Sequence, residues 1–415
     1  MKALIIAPFW RQPGHVGVYR IDRFIRWLSE AGIQIVLVRA GNRNEVTKVN
    51  WGTEITIEDP LKMFPDPKPG ATVPVSNRKP NRLRRMLSFV VFNPDPTVLW
   101  CKRIASHDLV LKHCNGVNWV LSSSPPESSH LASSLLAKRL NAQLIVDMRD
   151  GWLDEPFKPL LCASRIQRWR EGRLEGRILR QAYRIFVTSD VWKELLTARL
   201  HIVEDKVTVL TNGCPIINRV EKRDYAVFNK NEKLTLIYSG RFTGSRQTQK
   251  VKCLLEPLYY AIKNTTIQGR VILIGSLEPE DLNEVDCWRS LYDERNWNIE
   301  LRPQVSREDL FPLLAMANGL LLLSISNAAI PSKLFEYLVV QKPILAITLY
   351  NSAVWQISER ISSVHVVDPQ MPDSDRHICD FLSACQRKEH QFIVPAEFCE
   401  SSLAKTFLKS IDDNS

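Results

Sequence analysis

The chain has 415 residues, of which 45% are hydrophobic and 24% charged, and a formal net charge of +10. That length exceeds one ordinary core and that balance excludes a disordered or fibrous polymer, so two globular domains are expected. Nine irregularly spaced cysteines without a CxxC pair argue against a disulfide framework or zinc site and for a cytoplasmic, reducing compartment, while the positive charge favours an anionic partner.

In chain order, the apolar run Ala3-Leu4-Ile5-Ile6-Ala7 predicts a strand buried on both faces of a parallel sheet. It stops at Pro8 with no small-residue cleavage site after it, which favours a strand over a signal peptide. A Gly-containing loop, 11–17, leads into a helix with Ile21, Phe24, Ile25 and Leu28 on one face and Gly32 at its end. Residues 34–38 are the next strand, completing a βαβ unit of the Rossmann type.

Residues 42–97 break the rhythm, being rich in Pro, Asn and Lys/Arg, and are expected to form a long excursion between strands. Alternation then resumes: strand 119–121, a helix from Pro126 to Leu140 with Leu131, Leu135 and Leu136 inward, and strand 143–147. An Arg-rich helix over 165–182 and strands at 183–189 and 207–210 follow. Polar residues 215–232 read as a linker. A second series has strands at 234–240, 270–275, 320–324 and 343–347, a helix from Ser332 to Val340 and a last helix near 396–411. The fold class is therefore α/β, with two Rossmann-like doubly wound parallel-sheet domains across a cleft. The expected divisions are 1–215, 216–395, and a terminal helix 396–415 returning to the first domain. No run of apolar residues is long enough to span a bilayer.

In such sheets ligands bind beyond the carboxyl ends of the strands, where helix N-termini offer backbone N–H groups. Ile330-Pro331-Ser332-Lys333-Leu334-Phe335-Glu336-Tyr337-Leu338 is the most specific stretch. Ser332 can cap the helix, and Pro331 sets its entry angle. A lysine in the first turn opposes the helix dipole, which a bound phosphate would explain, and Glu336 is an acceptor suited to ribose or sugar hydroxyls. Spacing alone is equally met by an ordinary amphipathic helix with Leu334, Phe335 and Leu338 in the core.

This stretch, followed by Lys342-Pro343-Ile344-Leu345-Ala346, resembles the donor motif PSKxFEYL of GT-B glycosyltransferases, in particular a subgroup of retaining family 4. Gly14-His15-Val16-Gly17 is similar to that family's acceptor loop. Ser122-Ser123-Ser124-Pro125-Pro126 and Asp147-Met148-Arg149-Asp150-Gly151-Trp152 resemble two further segments, and Thr211-Asn212-Gly213 its turn between domains. Ser239-Gly240-Arg241 with Arg246 resembles its diphosphate clamp, with Arg in place of the usual Lys.

The resemblance implies that Arg241 and Arg246 grip the donor diphosphate and that Asp150 lies near the transferred sugar. Lys333 and the backbone after Pro331 would sit near the phosphates or the donor sugar, with Ser332 in the same donor site. Glu336 would hold the ribose, and Gly275 with Arg302, Gln304 and Val305 would flank ribose and base. Gly14, Gly17 and Gly240 would allow close backbone approach, and His15, Arg149 and Trp152 would lie on the acceptor side. One departure is Ala328, where many family members carry a glutamate seven positions before Glu336.

The implied activity is transfer, with retention, from a nucleotide-diphosphate sugar, a UDP-sugar first, to a lipid-linked or polysaccharide acceptor in cell-surface polysaccharide biosynthesis. No cofactor and no metal are expected: Asp147 and Asp150 have the wrong spacing for a DxD motif, and turnover should survive EDTA. The rivals are a non-catalytic nucleotide-sugar-binding scaffold, which Ala328 favours, and a nucleotide-sugar epimerase. Nucleic-acid binding has only the charge behind it.

Basic residues Arg78, Lys79, Arg82, Arg84 and Arg85 beside Met86, Leu87, Phe89, Val90, Val91 and Phe92 suit an anionic membrane surface, and so a peripheral position on the inner face of the plasma membrane; they equally suit a loop whose apolar side chains pack on the first domain. The Arg-rich helix could serve likewise, but Glu171 and Glu175 offer intrahelical partners that favour a solvated face.

Overall fold

The computed structural model describes residues 1–12, 15, 17–64, 92–154, 165–215, 233–242, 250–387 and 392–412. The chain divides into two compact units, one of Met1–Leu210 with Ala404–Ser415, the other of Thr211–Leu403.

The first unit runs β1 (Lys2–Ile6), α1 (Gly17–Glu30), β2 (Gln34–Gly41), β3 (Glu45–Val49), β4 (Gly52–Glu58), α2 (Val98–Ile104), α3 (Asp108–His113) and β5 (Trp119–Ser124). It continues with α4 (Ser128–Leu140), β6 (Gln143–Met148), α5 (Arg165–Gln181), β7 (Arg184–Val187), α6 (Asp190–Leu200) and β8 (Val207–Val209). Its sheet has the order β3-β4-β2-β1-β5-β6-β7-β8, parallel except for the β3–β4 pair. Leu4, Ile5, Ile6, Leu37 and Val120 are buried, as strands covered on both faces require. The order reverses between β1 and β5, which makes the ends of these two strands the topological switch point.

The second unit runs β9 (Leu234–Ser239), α7 (Val251–Lys263), β10 (Gly269–Ile274), α8 (Pro279–Asp293), β11 (Trp297–Arg302), α9 (Arg307–Ala315) and β12 (Gly319–Ser324). Next come α10 (Ser332–Val340), β13 (Ile344–Thr348), α11 (Ala353–Ser358), β14 (Val364–Val367), α12 (Ser374–Cys385) and α13 (Glu400–Ile411), the last ending among residues of the first unit. Its sheet, β11-β10-β9-β12-β13-β14, is parallel throughout and has its switch point between β9 and β12. No helix among the described residues is long and apolar enough to cross a membrane.

Three expectations are corrected. The stretch 42–97 is not simply an excursion, because β3 and β4 lie within it and extend the sheet, β4 parallel to β2. Glu54 in the middle of β4 hides this strand in the sequence; in the fold its buried carboxylate is held by Arg39 and Arg11 at 2.8 Å each. In α4 the buried face is made of small residues, Ser128, Ser129, Ala132, Ser133 and Ala137 with Leu136, whereas Leu135 is exposed and Leu131 half-buried. In α5, Glu171 and Glu175 are buried rather than paired along a solvated face.

Candidate donor and acceptor sites

In the second unit the strand ends are flush. Gly240 N–H donates to the Ile274 carbonyl at 2.7 Å and Gly275 N–H to the Arg302 carbonyl at 3.0 Å. Both glycines have positive φ, +138° and +155°. A Cβ on Gly275 would stand 2.1 Å from the Gly240 oxygen, and a Cβ on Gly240 would stand 1.5 Å from Lys333 Nζ. The backbone is therefore bare where it meets the lysine, at the switch point where a phosphate could approach most closely.

Helix α10 supplies that lysine. Leu334, Phe335, Tyr337 and Leu338 are its buried face, and Tyr337 ties it to β9: its hydroxyl accepts from Ser239 N–H at 3.0 Å and bonds Ser239 Oγ at 3.0 Å. Pro331, not Ser332, occupies the N-cap position, and no side chain caps the helix. Leu334 N–H bonds the Pro331 carbonyl at 3.1 Å, so the N–H groups of Ser332 and Lys333 are the first-turn donors placed to meet an anion. Lys333 Nζ lies 5.0 Å from the Tyr238 ring centroid. Burial depresses its pKa to about 8, against the opposing pull of Glu336. Glu336, one turn on, has its pKa raised by burial, a shift opposed by Arg307 and Lys333.

Arg307, at the start of α9, was missed by sequence reasoning. Its guanidinium meets the Glu336 carboxylate at 3.0 Å, so Glu336 stands between two cations. Only the fold joins these residues; α9 in the sequence looks like any capped amphipathic helix. Ala328 is buried after β12 and has no carboxylate to offer. Arg241 is exposed at the end of β9, Arg302 half-buried at the end of β11, Gln304 exposed and Val305 half-buried. Arg246 and Gly14 lie outside the described residues, as do residues 78–91 of the basic apolar segment and 216–232 of the linker.

In the first unit the loop after β1 meets those after β5 and β6. His15 stacks on Phe9 with centroids 4.3 Å apart, and Arg149 lies 5.7 Å from the same ring. Burial, then the charge of Arg149, lowers the His15 pKa to about 4. Its Nδ1 accepts from Gly17 N–H at 3.2 Å, so the neutral ring carries its proton on Nε2 and presents a donor. A Cβ on Gly17 would stand 2.7 Å from Phe9 and 2.9 Å from Arg149.

Arg149 donates to the carbonyls of Ser124 at 2.8 Å and Pro125 at 3.2 Å rather than to Asp150, which is half-buried beside it. Trp152 is a core side chain, 1% exposed, and its Nε1 donates to Glu171; its ring is not an acceptor surface. Beneath the loops lies a network the sequence did not reveal: Arg20 binds Asp147 at 2.6 Å, and Ser123 Oγ donates to the same carboxylate at 2.6 Å.

Residues 17–213 match the model of the glycosyl transferase 4-like domain. Comparison of the sequence with curated proteins gives no match. Among solved structures, a glycosyltransferase from Rickettsia africae is 16% identical with a TM-score of 0.55, covering 100% of this chain and 99% of its own. The lipopolysaccharide outer core galactosyltransferase WaaB is 13% identical with a TM-score of 0.52, covering 99% of each chain. HepE of Anabaena, in complex with UDP and glucose, is 10% identical with a TM-score of 0.53, covering 99% of this chain and 94% of its own. At these identities the likeness is one of fold, and with the two parallel-sheet α/β units it makes this a GT-B fold.

Proposed function

We infer that the chain, with a glycosyl transferase 4-like domain over residues 17–213 and a GT-B fold, is a glycosyltransferase that takes its sugar from a nucleotide-diphosphate donor, UDP first among carriers. One observation carries this reading: Lys333, the bare backbone at Gly240 and Gly275, and the Glu336–Arg307 pair meet at the switch point of the second unit. The ammonium and the uncapped N–H groups suit a diphosphate, and the carboxylate suits ribose hydroxyls. Arg241 and Arg246 complete the clamp in this proposal.

As charge builds on the leaving diphosphate, Lys333 is the group placed to stabilise it. The leaving phosphate takes the acceptor proton on the same face, giving retention without a separate base or metal, and positioning supplies much of the rate. The first unit is the acceptor side, where His15 presents its Nε2–H and Asp150 a carboxylate. A lipid-linked or polysaccharide acceptor and a role in cell-surface polysaccharide synthesis fit this reading. The buried Ala328 favours one alternative, a scaffold that binds a nucleotide sugar without turning it over.

Calorimetric titration with a panel of nucleoside diphosphates tests the donor site. One nucleotide should bind, and Glu336→Ala and Arg241→Ala should each weaken it roughly 10- to 150-fold, the range for a hydrogen bond to a charged group. The affinity should also depend on pH. An anion binds the protonated lysine, and free Lys333 titrates near 8. Affinity is therefore full below about pH 8 and falls as pH rises through it, with proton uptake on binding in that range. Absence of binding by every nucleotide, or unchanged affinity in both variants, contradicts the assignment.

A further inference from the structure

Helix α5 leaves an unpartnered stripe. Ile166, Trp169, Arg170, Arg173, Arg177 and Arg180 recur at three- and four-residue steps, so they share one face, and all are exposed, Ile166 by 71% and Trp169 by 59%. At 1.5 Å per residue this face is about 21 Å long. Its apolar pair lies at the N-terminal end and its arginines run from there to the C-terminus. Arg173 packs its guanidinium over the Trp169 ring at 4.9 Å. Arg165 is also exposed and adds charge at the flank, whereas Arg168, exposed in the first turn, lies on the opposite side of the helix.

The glutamates of the helix do not compensate this charge. Glu175 is fully buried and binds Arg199 of α6 at 2.8 Å. Glu171, 1% exposed, accepts from Trp152 and Gln167. Acids face inward and arginines outward, so the helix is segregated by charge, unlike a solvated helix laced with ion pairs along its surface. Among the described residues no carboxylate makes an ion pair with any arginine of the stripe.

We propose that this face of α5 docks on an anionic lipid bilayer. The occupant follows from the combination of groups. Arginines alone would suit any polyanion, but a nucleic-acid backbone would leave Ile166 in water. A bilayer interface takes both: tryptophan and an aliphatic side chain enter the headgroup boundary while guanidinium groups meet acidic headgroups. Such docking would hold the first unit, assigned above to the acceptor, against a surface carrying a lipid-linked acceptor. The docking itself stands independently of the transferase reading.

Flotation of the full-length protein with phosphatidylcholine vesicles, with and without phosphatidylglycerol, at low and high salt, tests the surface. The protein should float with the phosphatidylglycerol vesicles at low salt, stay behind with pure phosphatidylcholine, and release at high salt. The double variant Arg173→Ala with Arg177→Ala should lose about 30-fold in partition, and Trp169→Ala should weaken binding while keeping the salt dependence. All these positions are exposed, so melting temperature and nucleotide affinity should match the wild type. Failure to float at low salt, equal binding to neutral vesicles, or binding unmoved by both variants overturns the proposal. So does displacement from vesicles by a DNA duplex at low concentration, which reassigns the face to nucleic acid. A vesicle failure with intact nucleotide binding leaves the donor site standing, and the converse leaves the docking surface standing.

Discussion

Lys333→Met should lower turnover by about 100- to 1,000-fold, the loss usual when one preorganised group that meets developing charge is removed. Methionine keeps the length of the side chain and its contact with the Tyr238 ring, so the change removes the ammonium and little else. In the wild type that ammonium is held in an environment that disfavours it, since burial lowers its pKa to about 8 with only Glu336 opposing. Between about pH 8 and the unperturbed lysine range the unfolded chain holds more protons than the folded one, so this group costs stability below about pH 8 and costs less as pH rises. Lys333→Met should therefore leave the melting temperature at pH 7 unchanged or raise it, while turnover falls. A structural lysine would behave in the opposite way, with lost stability and little change in rate per folded molecule.

Arg20→Met should destabilise the first unit by about 3–5 kcal/mol, the cost of orphaning a buried charge. Asp147 is fully buried and Arg20 5% exposed, and two guanidinium nitrogens reach the carboxylate, with a further bond at 2.9 Å to the Leu210 carbonyl. Without Arg20, Ser123 is left as the hydrogen-bond donor to Asp147. Chemical denaturation reads the change, and Arg20→Met combined with Asp147→Leu should recover part of the loss, because the second substitution removes the orphan. A shift under about 1 kcal/mol in the single variant would mean that water or a rearranged loop replaces the guanidinium. Asp147 is the penultimate residue of β6, just before Arg149 and Asp150, so the pair also anchors the loop that carries the first unit's candidate site.

Much of the fold was legible because parallel strands buried on both faces write continuous apolar runs. Leu320–Leu323 and Ile344–Ile347 announce β12 and β13, and the helix expected from Ser332 to Val340 forms with those bounds. What stayed hidden was polar. Glu45–Val49 has little apolar signal, and β4 carries a charge that Arg11, Arg39 and the Trp10 indole N–H make tolerable. The strands β11 and β14, at the two edges of the second sheet, went unread because their apolar runs are interrupted by polar residues.

The same limit applied to the candidate sites. Lys333 and Glu336 stand out through their spacing on one helix, but Arg307 becomes a partner only when α9 is laid beside α10. Arg20 and Asp147 are 127 residues apart, a separation no local pattern can bridge. On α5 the sequence shows arginines and glutamates alike; their segregation depends on Arg199 and Trp152 drawing the acids inward. Trp152, which the resemblance placed on the acceptor side, is a core residue.

The most direct test of sugar transfer is to incubate the purified protein with nucleotide sugars, UDP-sugars first, a membrane-lipid extract and EDTA, and to follow the sugar by NMR. The expected result is consumption of one donor, an extract-dependent product with the donor's anomeric configuration, and no effect of the chelator. Contradiction would be a bound nucleotide sugar that is never consumed, which identifies a scaffold, or an isomerised donor with no transfer, which identifies an epimerase.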